Sequence, residues 1–250
     1  ECPGHFGHID LARPVFHVGF LGKVKKVLEC VCVHCGKLKS DPISDPVFKS
    51  LLQSTRNNRK RRFQRVWEYC SKISVCEADE TKDEDELPDA NAPPKIGHGG
   101  CGRVQPAIRK EALKLFSVWR QSKDEDDPDH ASSRMTQSER RPLLASEVHT
   151  ILKKMQPSDV QVMGLSEEFA EPDWMVLTVL PVPPPHVRPG VTEFGSGMGQ
   201  DDLTYKLADI IKASSNLNRM EQEGAPSHIL NDFADLLQYH VATYMDNAIA

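Results

Sequence analysis

The sequence predicts an α+β chain assembled from several small modules and ending in an antiparallel coiled-coil hairpin. Three observations carry that prediction. Hydrophobic residues make up 39% of the 250 and aromatic residues only 6%, a supply better matched to several small cores than to one large, dense one. All seven cysteines lie at or before Cys101, and Cys32-Val33-His34-Cys35 followed by single Cys76 and Cys101 has the spacing of a four-thiolate zinc site. In the last fifty residues, seam positions recur in alternating steps of three and four, the period of a coiled coil.

Taken in chain order, a turn leads to Pro14–Phe20, which reads as a strand or extended entry. A short helix follows over Leu21–Glu29, with Val24, Val27 and Leu28 as its apolar side. It delivers the chain to the Cys32/Cys35 knuckle, where Gly36 suits a turn that often needs positive φ. Pro46–Leu52 and Asn58–Ser71 read as two further helices, the second carrying Phe63, Val66, Trp67 and Cys70 on one side. Glu77–Gly100 is acidic and rich in Pro and Gly, a flexible insertion ending in a second, looser knuckle at Gly99–Gly102.

Gln105–Arg120 reads as two short strands with a turn at Lys110-Glu111, and Lys123–Arg141 as a polar surface loop. Glu147–Met155 presents Val148, Ile151, Leu152 and Met155 on one helical face, and Ser158-Asp159 opens another short helix through Met163. The apolar run Trp174–Leu180 reads as a buried strand. Leu180–Pro189 holds five prolines and reads as a rigid extended connector. Four glycines make Gly190–Gln200 a mobile loop. The hairpin seam runs through Leu203, Leu207, Ile210, Ser214 and Leu217, then Leu230, Phe233, Leu237, His240 and Tyr244, with Asp201 or Asp202 capping the first helix and Ser227 the second.

The formal charge is −5, but its distribution is polar. Residues 1–76 carry fourteen Lys/Arg against six Asp/Glu, including Arg56, Arg59, Lys60, Arg61 and Arg62, while Glu77–Asp89 and Asp124–Asp129 are acidic. A nucleic-acid partner is therefore compatible with the negative total, because a phosphate backbone senses the local face. The basic run reads equally as a solvated helix face. No stretch approaches the ~20 apolar residues of a membrane helix, and the N-terminus shows neither an initiator Met nor a signal-peptide pattern. A soluble, intracellular chain is expected, in which an odd cysteine count with CxxC spacing favours metal over disulfides.

Cys32, Cys35, Cys76 and Cys101 form a complete ligand set. Cys2 and His5 read as half of a second site whose other ligands are not in this sequence, so the chain looks cut from something larger. His8 could replace His5, although the Cys2–His5 gap suits a knuckle better. Cys30 alternates with Cys32 and points away from a shared metal, and Cys70 falls on an apolar helix face, so both read as buried thiols. A closed set of thiolates leaves no position for water, so these zincs are structural. No Ser/His/Asp arrangement, phosphate-cradling loop or paired-carboxylate site has support from its context.

Five motifs in one order, Cys2-Pro-Gly-His-Phe-Gly-His-Ile-Asp-Leu with Pro14-Val-Phe-His, the Cys32/Cys35 knuckle, Gly100-Cys101-Gly102, Leu180-Pro-Val-Pro-Pro-Pro, and Asp201-Asp-Leu-Thr-Tyr-Lys-Leu-Ala-Asp-Ile, resemble the N-terminal clamp region of the largest subunit of eukaryotic RNA polymerase II. The resemblance covers essentially the whole chain. It implies part of a DNA-directed, multisubunit nucleotidyltransferase of the nucleus. The clamp holds DNA and the RNA–DNA hybrid, and the chain itself is not catalytic, because the catalytic aspartate motif and its Mg²⁺ belong elsewhere in the enzyme.

The resemblance also implies zinc shared by Cys2 and His5 with two upstream cysteines, and zinc on the complete thiolate set. On this reading residues 1–104 are a zinc-binding clamp head and base with a helical insertion, and 105–186 a mixed α/β body. Residues 187–202 match the lid that parts transcript from template, and 203–246 the coiled coil on which transcription factors dock. Implied partners are template DNA, nascent RNA, the second-largest and smaller subunits, and initiation and elongation factors. The nucleic-acid candidates are Arg188, the one cation of a glycine-rich lid, and Arg59, Lys60, Arg61 and Arg62. A different class, a free-standing zinc-ribbon and coiled-coil adaptor, stands as the alternative.

Overall fold

A computed structural model describes residues 2–78, 99–119, 139–192 and 198–249. It is mixed α and β with short elements. In chain order these are β1 (Gly7–Phe16), α1 (Leu21–Cys30), α2 (Pro46–Ser54), α3 (Arg59–Cys70), β2 (Ala107–Glu111), β3 (Lys114–Trp119), β4 (Glu139–Leu143), α4 (Ala145–Lys153), α5 (Pro157–Val162), β5 (Val176–Val182), β6 (Val191–Thr192), β7 (Met198–Gly199), α6 (Asp202–Gln222) and α7 (Ser227–Met245). The chain divides into two compact units, Glu1–Leu21 with Met175–Ala250, and Gly22–Trp174. No helix among the described residues is long and apolar enough to cross a membrane.

In the first unit β1 and β5 pair antiparallel, with Gly7 opposite Val182 and Phe16 opposite Val176, and the register shifts between Asp10 and Val15. The expected strand at Pro14–Phe20 thus begins earlier and stops at Phe16, because residues 7–10 find partners in 179–182. Val18–Phe20 forms a 3-10 turn capped by the His17 ring, which accepts from the Gly19 N–H. The expected buried strand at Trp174–Leu180 is corrected too. β5 is buried only at Val176 and Leu180, since a two-stranded sheet offers one covered face, and Trp174 is 55% exposed. The strand runs on through Pro181, tolerated because such a sheet has only edges, and the connector ends in a 3-10 turn at Pro185–Val187.

Helices α6 and α7 share a core with this sheet. Leu207, Ile210, Ala213 and Leu217 of α6, Leu237 and Val241 of α7, Val15 and Leu180 are all buried together. The predicted seam is therefore only partly a helix–helix seam. Leu203, Leu230, Phe233, His240 and Tyr244 are half-buried, while Ala213 and Val241 complete the contact with the strands. Asp201 caps α6 by accepting from the Leu203 N–H at 2.8 Å. Ser227 is the first residue of α7 rather than its cap, which is Pro226 and makes no side-chain cap bond. Two buried polar residues fasten β1 where its register breaks. Ser214 Oγ accepts from the Ala12 N–H at 2.9 Å, and the Gln238 amide pairs both the N–H and the C=O of Phe16, at 2.6 and 2.9 Å. The predicted loop Gly190–Gln200 is closed at its base by the β6–β7 ladder; residues 193–197 lie outside the described residues.

In the second unit α1 lies against α3. Lys23 Nζ sits 4.5 Å from the Phe63 ring and Lys26 Nζ 4.3 Å from the Trp67 ring, and Trp67 Nε1 donates to Glu29 at 2.7 Å. β2, β3 and β4 form an antiparallel meander. The β2–β3 turn is at Ala112-Leu113 rather than Lys110-Glu111, which pair with Leu115 and Lys114; Ala112 takes φ 48° to make it. The end of the expected 123–141 loop is a strand, β4, held on the sheet edge by Arg140. Its guanidinium lies 3.8 Å from the Phe116 ring and 2.5 Å from Glu111. Most of the two acidic stretches lies outside the described residues.

Asp45 ties α2 to α3. It caps α2 through the N–H groups of Val47 and Phe48, at 3.0 and 3.1 Å, and accepts from Tyr69 Oη at 2.5 Å. Burial opposes its ionisation, but the bonds from Tyr69, Phe48, Ser40 and Val47 outweigh it and lower its pKa. The Asp45 bond raises Tyr69 to about 12.

Two outcomes follow. Gln238→Leu strands the Phe16 N–H and C=O and is expected to destabilise the chain by about 3 kcal/mol, at 1–3 per unpaired group, read by urea denaturation. Asp45's contribution is present above the ordinary carboxylate pKa near ~3.9 and lost as pH falls through its lowered value, whereas Tyr69's is present below ~10 and lost as pH rises through its raised one. Asp45→Asn keeps a good cap but removes the charge, so ultraviolet titration should show Tyr69 ionising at lower pH than in the wild type, shifted toward ~10; an unchanged titration would contradict the coupling.

Candidate metal centre

Four sulfurs converge in the second unit. Those of Cys32, Cys35, Cys76 and Cys101 all lie within 4.8 Å of one another, with Cys32 to Cys101 at 3.5 Å and Cys35 to Cys76 at 3.8 Å. A tetrahedron of sulfurs at ~2.3 Å from zinc has edges of about 3.8 Å, so this set fits the ion.

Local structure explains the convergence. The end of α1 runs into a tight turn in which the Cys32 N–H donates to Lys37 O at 2.8 Å and the Gly36 N–H to Cys32 O at 2.9 Å. Gly36 takes φ 77°, and a Cβ there would sit 2.6 Å from Lys154 Cβ, so the expected positive φ is present and a side chain has no room. This turn aims the N–H groups of His34 and Cys35 at Cys32 Sγ, 3.4 and 3.5 Å away. The second half is built around Cys76, whose N–H donates to Arg103 O at 3.0 Å and whose sulfur accepts from the Cys101 N–H at 3.5 Å. Gly100 passes so close that a Cβ would lie 1.8 Å from Glu77 O.

Burial works against the Cys32 thiolate, yet the N–H groups of Cys35 and His34 and the neighbouring thiols outweigh it and bring its pKa to about 7. Burial raises the pKa of Cys35 and Cys76, and the Cys32 sulfur opposes the ionisation of both. A dication removes that opposition by binding the thiolates together. Held by all four thiolates, a zinc ion would supply structure rather than a reactive water.

Gln105 is part of this centre and sequence reasoning missed it. Its Nε2 donates to Cys32 Sγ at 3.2 Å and to Arg103 O at 2.9 Å, and its Oε1 accepts from the Val33 N–H at 3.0 Å. The available signal was a lone amide between Val104 and Pro106, four residues past the last cysteine. Cys30 and Cys70 stand outside the cluster. Both are buried, Cys30 Sγ donates to Lys26 O at 3.1 Å, and burial raises both thiols, Cys70 to about 12. His34 is engaged elsewhere, its Nδ1 3.3 Å from Arg103 and its ring tilted on Trp119.

The other candidate residues lie apart from this cluster. In the first unit, Cys2 Sγ and His5 Nδ1 face each other at 3.7 Å on the surface, and His8 Nε2 lies 4.0 Å from Asp10. Arg188 spends two donors internally, on Pro183 O and Thr204 Oγ1, both at 3.1 Å. In the second unit, Arg59, Lys60 and Arg61 are exposed on the first turn of α3. Arg62 is turned inward, with Nη2 3.4 Å from Leu52 O and Nε buried.

The family model for RNA polymerase Rpb1, domain 1, matches residues 1–250. The chain belongs to that family. As an Rpb1 domain 1 it is part of the largest subunit of a DNA-directed RNA polymerase, which overturns the free-standing adaptor alternative. Membership in the Rpb1 family implies binding to DNA, RNA and other polymerase subunits. In this Rpb1 domain the four-cysteine cluster is a set that could hold a metal such as zinc.

Replacing Cys101 with Ser is expected to abolish zinc at the cluster and to expose the 32–102 segment to protease, whereas Cys70→Ser leaves the zinc content unchanged. Metal analysis and limited proteolysis check both. Equal zinc in wild type and Cys101→Ser would exclude the four-thiolate site.

Proposed function

We propose that this chain is the N-terminal clamp region of the largest subunit of a nuclear, eukaryotic RNA polymerase II, closing over DNA and the RNA–DNA hybrid during transcription. The observation that carries this reading is the order of motifs from Cys2-Pro3-Gly4-His5 to Asp201–Ile210, taken together with the family match over residues 1–250. Zinc on Cys32, Cys35, Cys76 and Cys101 is the scaffold of the second unit. Cys2 and His5, 3.7 Å apart and exposed, supply half of another zinc site completed by ligands outside this sequence.

Helices α6 and α7 are the clamp coiled coil, on which initiation and elongation factors dock. The buried residues of the pair stop at Leu217 in α6 and begin at Leu237 in α7, so the stretch on either side of Gly224 holds only half-buried and exposed residues. The segment 187–202 is the lid. With Arg188 bonded to Pro183 and Thr204, its cation serves the base of that loop. The grip on nucleic acid is backbone-directed and independent of sequence, and falls to the exposed Arg59 and Lys60 ahead of the inward-turned Arg62.

In polymerase assembled with Arg59→Glu and Lys60→Glu, the dependence of DNA-complex stability on log salt should become shallower by about 2, at ~0.9 per phosphate contact. An unchanged slope would remove these residues from the gripping surface.

A further inference from the structure

Helices α2 and α3 enclose an open groove of about 530 Å³ whose walls differ in chemistry. Pro46, Val47 and Leu51 of α2 make one wall apolar, and Val47 is 65% exposed. Arg61 and Arg65, one turn apart on α3, make the other wall cationic. Arg65 meets Glu68 at 3.3 Å across an exposed pair, which is weak in water, and Arg61 has no ion-pair partner among the described residues. Over residues 46–70 there are seven Lys/Arg and one acidic residue, Glu68.

We propose that this groove docks an acidic amphipathic helix of a protein partner, distinct from any factor on α6 and α7. Val47 and Leu51 are spaced i, i+4, and so offer an apolar strip that matches leucine-type side chains at helical spacing. Arg61 and Arg65 stand where carboxylates flanking that strip would be paired by bidentate bonds. A phosphate backbone would use the guanidinium groups but gain nothing from Pro46, Val47 and Leu51. A second copy of this surface would set seven cations against seven. Protein with apolar and acidic character satisfies both walls at once.

The test uses the full zinc-loaded chain and a fluorescein-labelled synthetic peptide with leucines at helical spacing flanked by glutamates, read by anisotropy. Binding should weaken about tenfold, a loss of ~1.4 kcal/mol, in Val47→Asp, and by at least as much in the pair Arg61→Glu and Arg65→Glu. It should be lost when lysines replace the peptide's glutamates. These side chains are exposed, and unchanged circular dichroism and zinc content would confirm intact folding. The proposal is overturned if Val47→Asp binds the peptide as wild type does, or if the lysine peptide binds equally. It is likewise overturned if a DNA duplex binds in its place, with loss in the arginine pair and none in Val47→Asp, and that result would leave the clamp reading standing.

Discussion

Short, irregular strands leave backbone N–H and C=O groups without ladder partners, and both units are organised by the side chains that pair them. A buried peptide group left alone costs as much as a lost hydrogen bond. In the first unit β1 breaks register between Asp10 and Val15, and Ser214 and Gln238 reach from α6 and α7 to Ala12 and Phe16. Those bonds fix how the helices lie on the sheet, because each polar side chain has one register in which it is satisfied. In the second unit Asp159 accepts from the Leu38 N–H at 3.1 Å, Glu147 from the Leu144 N–H at 3.3 Å, and Asp45 caps α2 while holding Tyr69 of α3.

The sulfur cluster extends the same logic to a segment with little regular structure. Cys32 and Cys101 are 69 residues apart and Cys35 and Cys76 are 41 apart. Closing loops of that length costs conformational entropy, and isolated bridges such as Val31–Leu38 and Val75–Val104 are modest returns for it. Amides aimed at sulfur, and Gln105 bonded to Cys32 and Val33, prepare the donors before any cation arrives. A dication held there would stabilise the fold around the knuckles, and its role would be positional.

The basic character of the second unit is sorted by packing. Lys23 and Lys26 lie over aromatic rings, Arg62 turns to Leu52 O, and Arg65 meets Glu68. Lys49, Arg56, Arg59, Lys60 and Arg61 are among those that face solvent. A run of like residues in sequence therefore divides into structural and surface cations, according to which side of α3 each occupies.

Local pattern alone determined much of this protein. The helices from α1 to α7 follow from apolar spacing and caps, and the four cysteines from knuckle spacing, because both signals are short-range and set by backbone geometry. The order of motifs was enough to indicate the polymerase family. Tertiary structure decided the rest. Only the sheet pairing showed that β1 begins at Gly7, that 139–143 is a strand, and that the run at 174–180 is half exposed, since partners distant in sequence leave no local period. Only packing showed that the α6–α7 seam is shared with Val15 and Leu180, that Gln105 belongs to the sulfur cluster, and that Arg62 is half-buried with its Nε covered. Those facts depend on which side chains a folded chain brings within bonding distance, and no window along the sequence contains both partners.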